Sequence, residues 1–494
     1  MINDSKHKLL KARKLGKVQV IEKNHLASPE ELEKSEKWSS PETWTEKSLT
    51  EIFSIQGEEL ASLQLKWINK RYEYLLSRIP ALKMLVERQG IEDSFSQLND
   101  VSLALFTHKV YKSYPLNLVE KKKFDYLTSW LDKLTAHDLS TIEVKGIKTI
   151  DDWLTRLDEN GMFIFHTTGT TGKLSFLPRS ITEKPVWIDA FYKYLEALTG
   201  DPEIKNTRMP VFFPAYRTGR HIGARVLGYF GPALAGCEEE YHSLFDYPMS
   251  ADFMSLAGRL RAAQARGDLK KLDMIKALVK SKGELIKMKK KRPQMMKEFF
   301  NKMVQDYKGQ RVFVMAPVTD LLQVAMEGQK EGVNHVFAPD SVLLTGGGLK
   351  GFDAPDDWKQ LLRDFYGVEQ LYEGYGMTEC ISFNPICKRG HYHFFPWNVP
   401  FVLAENGISL PREGVQTGRM GLFDLLAETY WGGFLTGDRV TVHHDECGCG
   451  WKGPWVEDNI SRFSELGAEE DKISCSGSQE AYNQFLDYIL EDVD

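Results

Sequence analysis

The chain has 494 residues, 42% hydrophobic and 27% charged, with a formal net charge of −6. That length suffices for a large α/β body and a small lobe, and the acidic balance gives no general attraction to nucleic acid. No apolar run approaches the roughly 18 residues that a membrane-crossing helix needs, and the first residues lack the apolar core of a secretory signal, so a cytoplasmic protein with reduced cysteines and no membrane span is expected.

In chain order, residues 1–150 read as mainly helical, with an amphipathic pattern from Leu60 to Leu85, and contain no internal repeat. From Gly161 to Gly437 short apolar runs such as Val211-Phe212-Phe213 and Val312-Phe313-Val314 alternate with helical stretches, a pattern that favours a mixed or parallel sheet covered by helices. Within it, residues 251–308 form a lysine-rich helical excursion. Its basic run Lys287–Arg292 reads first as a solvated helix face.

Residues Phe165 to Arg179 carry the most chemistry. After an apolar run, Thr167, Thr168, Gly169, Thr170, Thr171, Gly172 and Lys173 bring together backbone N–H groups, hydroxyls, two glycines and a cation, a set that suits a polyphosphate. It is not a Walker A loop. Thr167 stands where that motif needs glycine, and Leu174 where it needs serine or threonine. Downstream, Leu343-Leu344-Thr345-Gly346-Gly347-Gly348 reads as a buried strand entering a glycine turn. Tyr372–Glu379 and Phe434–Asp438 follow in that order.

Together these four segments resemble the adenylate-forming superfamily of acyl-CoA synthetases, luciferases and related ligases. The resemblance implies an α/β fold: a large adenylate-forming N-terminal body of mixed sheets and covering helices over residues 1–437, then a shortened α+β C-terminal lobe over 438–494. It also implies roles for particular residues. Lys173 and the loop would hold the β- and γ-phosphates of ATP, and the glycine turn would wall the adenine pocket. Tyr375, beside Gly376, would lie on the adenine, Thr378 would meet the α-phosphate, Glu379 would hold Mg²⁺, and Asp438 would take the ribose hydroxyls, with Arg439 and Arg462 nearby.

Within the superfamily the closest likeness is to LuxE-like acyl-protein synthetases, with the phenylacetate-CoA ligase group as the alternative. It covers residues 165–490. A full acyl-CoA synthetase carries a larger C-terminal domain with a lysine near its end. Here 56 residues follow Asp438, and Lys472 is the last lysine. The LuxE likeness implies transfer of the acyl group of a small carboxylic acid to a cysteine, for which Cys475 is placed, and onward to an acyl-accepting or reductase protein. The alternatives are ligation to coenzyme A and a nucleotide-binding interaction protein without turnover. The acid itself is not legible.

One more pattern stands apart. Cys387 and His391 precede the Thr-Gly-Asp, and Cys447 and Cys449 follow it, a Cys3His set that would close a structural zinc site with no open position. Ordinary reduced cysteines and packing histidines are the other reading, and His393 is the competing imidazole.

Overall fold

The computed structural model describes residues 38–167, 172–265, 291–349 and 352–463. The chain divides into two compact units, residues 1–40 and 41–494. Only Trp38–Ser40 of the first is described.

Among the described residues, 41–159 are mainly in helices. The helix Gly57–Leu76 buries Leu60, Gln64, Ile68, Tyr72 and Leu75 on one stripe. The next helix, Pro80–Gln89, has proline at its start and ends on Gly90 in the left-handed region, the expected punctuation at each end.

Short strands then appear in series. β1 (Phe106–Thr107) is followed by the ribbon of β2 (Phe165–His166) and β3 (Phe176–Leu177), which brackets the Thr/Gly loop. β4 (Val211–Gly219), β5 (Tyr241–Met249), β6 (Phe313–Pro317), β7 (Val342–Gly346), β8 (Leu371–Tyr375) and β9 (Asn384–Pro385) form a six-stranded sheet in the order β5-β4-β6-β7-β8-β9. All its pairings are parallel except β8 with β9. Such strands are buried on both faces and read as continuous apolar runs. Phe212, Val314 and Leu343 accordingly share one core with Leu321, Leu322 and Ala325 of the helix Val318–Lys330, and with Leu362, Phe365 and Tyr366 of the helix Trp358–Tyr366.

β10 (Tyr392–His393), β11 (Asn398–Leu403), β12 (Val415–Asp424), β13 (Gly433–His443), β14 (Trp455–Val456) and β15 (Ser461–Arg462) build a second, mainly antiparallel sheet, which β1 joins in parallel to β13. The fold is therefore the mixed α/β body expected. Residues 439–463 belong to this second sheet, while 464–494, most of the anticipated small lobe, lie outside the described residues. Among the described residues no helix is long and apolar enough to cross a membrane.

The helical excursion is less uniform than its charge suggested. Its first part, the helix Ala251–Ala265, is tied to the helix Ile150–Glu159 by an exchange of N-terminal carboxylates. Asp252 accepts from the N–H groups of Ile150 and Asp151, both at 2.9 Å, and Asp151 accepts from Ala251 N–H at 2.9 Å and from the Ser250 hydroxyl at 2.5 Å. With Thr149 accepting from Asp152 N–H at 3.0 Å, the first orphan donors of that helix are all satisfied. At the far end, Phe299, Phe300 and Met303 are buried in the core of the parallel sheet, so this part is a packed core element. Lys291 and Arg292 are exposed, and 287–290 lie outside the described residues. Asp252→Ala leaves two helix N–H groups without their acceptor and is expected to cost about 1–2 kcal/mol, read as a lower urea midpoint with an unchanged denaturant slope.

Candidate functional site

The four segments reach one end of the parallel sheet, where open α/β sheets place their ligands. The glycine turn follows β7, with Gly347 and Gly348 at φ +82° and +63°, a region costly for any residue with a Cβ. The Thr378–Glu379 turn follows β8. His166, at the end of β2, pairs in parallel with His221, just past β4, so the Thr/Gly segment departs from that same edge.

The ends of the loop are held tightly. Thr167 accepts from Ser175 N–H at 3.1 Å, and Gly172 sits at φ +97° with Ala262 of the excursion helix 3.2 Å from where a Cβ would lie. Thr168, Gly169, Thr170 and Thr171 lie outside the described residues. Lys173 does not extend freely into the loop. Its ammonium donates to the Tyr114 carbonyl at 2.7 Å, and burial together with Lys112 lowers its pKa. Lys112 is the cation that sequence reading missed. It comes from the helical N-terminal part, which carries no motif, and it acts electrostatically on both Lys173 and Glu379.

Glu379 and Thr378 are buried, at 9% and 8% exposure. Burial raises the Glu379 carboxyl, while Lys112 and Arg179 pull it down and Asp438 pushes it up. Asp438 is thus an electrostatic neighbour of Glu379 from the other sheet. Tyr375 joins the two more directly, its hydroxyl donating to Asp438 Oδ2 at 3.1 Å. Arg462, paired with Asp438 across β13 and β15, brings Nε to 3.5 Å from Oδ1. Arg439 is the next residue along β13 and is exposed while Asp438 is buried, as alternation on a strand requires. It is not brought to the Tyr375–Asp438 pair. Cys475 lies outside the described residues.

The turn itself is gripped from beneath by side chains to which the sequence assigns no role. Arg179, 1% exposed, donates from Nη2 to the carbonyls of Thr378, at 2.7 Å, and Cys380. Tyr430 donates its hydroxyl to the Glu379 carbonyl at 2.8 Å, and Asp424 Oδ2 accepts from Ile381 N–H at 2.5 Å.

The cysteine cluster lies on the second sheet. Pairing of β10 with β14, and of β14 with β13, sets the Cys387–His391 turn against the Cys447–Cys449 turn. Cys387, His393, Cys447 and Cys449 place their ligand atoms all within 4.8 Å of one another. His393 therefore replaces the expected His391 as the imidazole of the set. His391 stacks on the Trp455 indole at 4.1 Å, with Nδ1 3.1 Å from Cys447 Sγ, while His393, opposite Trp455 in the strand register, is fully buried with Nε2 3.4 Å from Cys449 Sγ. The donors fit a soft dication. Burial and the neighbouring cysteines push the Cys447 thiol up to about 12 and raise Cys449, whereas burial holds His393 near 4 and hence neutral. Crowded thiols that repel as anions become favourable ligands once a cation sits between them.

No protein-family model matches the sequence, and no curated protein matches it. Solved structures do. A 2-hydroxyisobutyryl-CoA ligase in complex with 2-HIB-AMP and CoA is 14% identical, over 83% of this chain and 69% of that one, with a TM-score of 0.49. The amide bond synthetase McbA from Marinactinospora thermotolerans is 15% identical over 65% of this chain and 53% of its own, at 0.31. MbtA from Mycobacterium smegmatis is 14% identical over 60% and 45%, at 0.29.

Metal analysis of the purified protein is expected to find about one zinc per chain. Cys387→Ser should abolish it and lower Tm, and stripping by a chelator should speed up as pH falls, because protons compete for the thiolates.

Proposed function

We propose that the protein is an ATP-dependent carboxylate ligase that forms an acyl-AMP and pyrophosphate, then passes the acyl group to a thiol. The observation that carries this reading is the convergence of Tyr375, Thr378, Glu379 and Asp438, from two separate sheets, on the edge where the Thr/Gly loop begins and ends. An aromatic ring, a hydroxyl and two carboxylates beside an anion-binding loop match the parts of a nucleotide: base, α-phosphate, metal and ribose.

In the first half-reaction one oxygen of the substrate carboxylate attacks the α-phosphorus. The new P–O bond forms as the bond to the bridging oxygen breaks, and pyrophosphate leaves with that electron pair. No general base is needed, because the acid is already ionised at neutral pH. The work left to the protein is positioning and charge stabilisation. Glu379 is the residue that would hold Mg²⁺, a buried carboxylate whose charge needs a partner, and the ion supplies neutralisation of the phosphate charge. Lys112 adds positive charge beside Glu379, and Lys173 serves the loop if it exchanges the Tyr114 carbonyl for a phosphate.

For the second half-reaction we favour a LuxE-like acyl-protein transfer with Cys475 as acceptor, over ligation to coenzyme A. The Ser/Thr-rich loop running into Leu174–Arg179 and the glycine turn at Gly346–Gly348 support it. A thiol at Cys475 attacks as the thiolate, releasing AMP from the mixed anhydride.

ATP–pyrophosphate exchange over a panel of fatty, aromatic and hydroxy acids tests the first step. Glu379→Gln and Asp438→Asn are each expected to lower exchange by about a hundredfold or more, and a wild-type protein inactive with every acid would refute the reading. Intact mass measurement without coenzyme A tests the second. A covalent acyl adduct that disappears in Cys475→Ser is expected, and exchange without an adduct would assign the acceptor to a free thiol such as coenzyme A.

A further inference from the structure

The backbone of Thr378–Ile381 is held at one polar group on each of its four residues by three buried side chains. The carbonyls of Thr378 and Cys380 accept from Arg179, the carbonyl of Glu379 accepts from Tyr430, and the N–H of Ile381 donates to Asp424. Tyr430 and Asp424 are fully buried and Arg179 nearly so. Each anchor is itself fixed. The Arg179 guanidinium lies 4.4 Å over the Phe165 ring of β2, and Asp424 Oδ1 accepts from Leu426 N–H at 2.9 Å. Two guanidinium nitrogens of Arg179, Nε and Nη1, are buried with no hydrogen-bond partner, a cost that an ordinary core position would not keep. The charge instead faces Glu379 and Asp424, whose carboxyls it stabilises.

We propose that Arg179, Asp424 and Tyr430 act as a positioning brace for catalysis, holding the Thr378–Glu379 turn in the one backbone conformation that presents the hydroxyl to the α-phosphate and the carboxylate to the metal. The inference rests on the adenylation reading above. Rotation about either residue's backbone would re-aim its side chain, and a displacement of about 1 Å at a reacting centre can cost about a hundredfold in rate. A turn fastened only through its ends would keep that freedom; one fastened at every carbonyl does not. The brace also couples the motifs. Arg179 follows the phosphate loop by six residues, Asp424 ends β12, and Tyr430 lies between β12 and β13, the strand that carries Asp438.

The test is Tyr430→Phe, which keeps the ring and removes one hydrogen bond, beside Arg179→Lys, both measured by ATP–pyrophosphate exchange, Mg²⁺ titration and Tm. Tyr430→Phe is expected to lower kcat about tenfold, the equivalent of one buried hydrogen bond, and to raise the Mg²⁺ concentration for half-maximal activity, with KM for the acid unchanged. Arg179→Lys should do the same more strongly if it folds. A Tyr430→Phe protein with reduced Tm but wild-type kcat and Mg²⁺ dependence overturns the brace and leaves the adenylation reading intact. A wild-type protein that exchanges no pyrophosphate with any acid overturns both.

Discussion

Strand β13 is the constraint on which the rest depends. It pairs with β1, β12, β14 and β15, so a single run of eleven residues satisfies its backbone against partners drawn from the N-terminal helical region, the preceding strand and the cysteine-bearing turn. Its middle carries Asp438, its start leads out of the Asp424–Tyr430 segment, and its end leads to Cys447. Moving its register by one residue would exchange Asp438 for an exposed neighbour and turn the buried residues outward.

The second dependency is charge kept out of water. Arg179, Glu183, Glu379 and Asp424 are all buried, and burial raises all three carboxyls, Asp424 to about 6. What holds this arrangement is dense hydrogen bonding: Glu183 accepts from Ser180, Glu428 and Thr429, the last through both its N–H and its hydroxyl. Such a network tolerates little rearrangement, because any partner lost leaves a desolvated charge behind. Rigidity of this kind suits the proposed adenylation, which asks for positioning and not for proton transfer.

The cysteine cluster plays a different part. Phe53 stacks on Trp451 at 4.4 Å and its carbonyl accepts from Lys452 N–H at 2.9 Å, so the turn that carries Cys447 and Cys449 is also the anchor for the segment preceding the first long helix. A tetrahedral ion there would clamp two strand turns of one sheet, with its fourth position filled by protein and none open to substrate.

The sequence by itself determined the elements whose demands are local. Glycines at Gly172, Gly347 and Gly348 are needed because those backbones have positive φ, apolar runs made buried parallel strands, and the order of the four segments was legible because each keeps its own short pattern. Only the tertiary structure decided the rest. Lys173 is drawn to the Tyr114 carbonyl, Lys112 arrives from a region without a motif, Arg439 alternates away from Asp438, and His393, not His391, gathers with the three thiols. The bonds of Arg179, Asp424 and Tyr430 were invisible for the same reason: what they bind is backbone, which every residue has, and the partners lie far apart in the chain, so no residue pattern marks where such a bond will form.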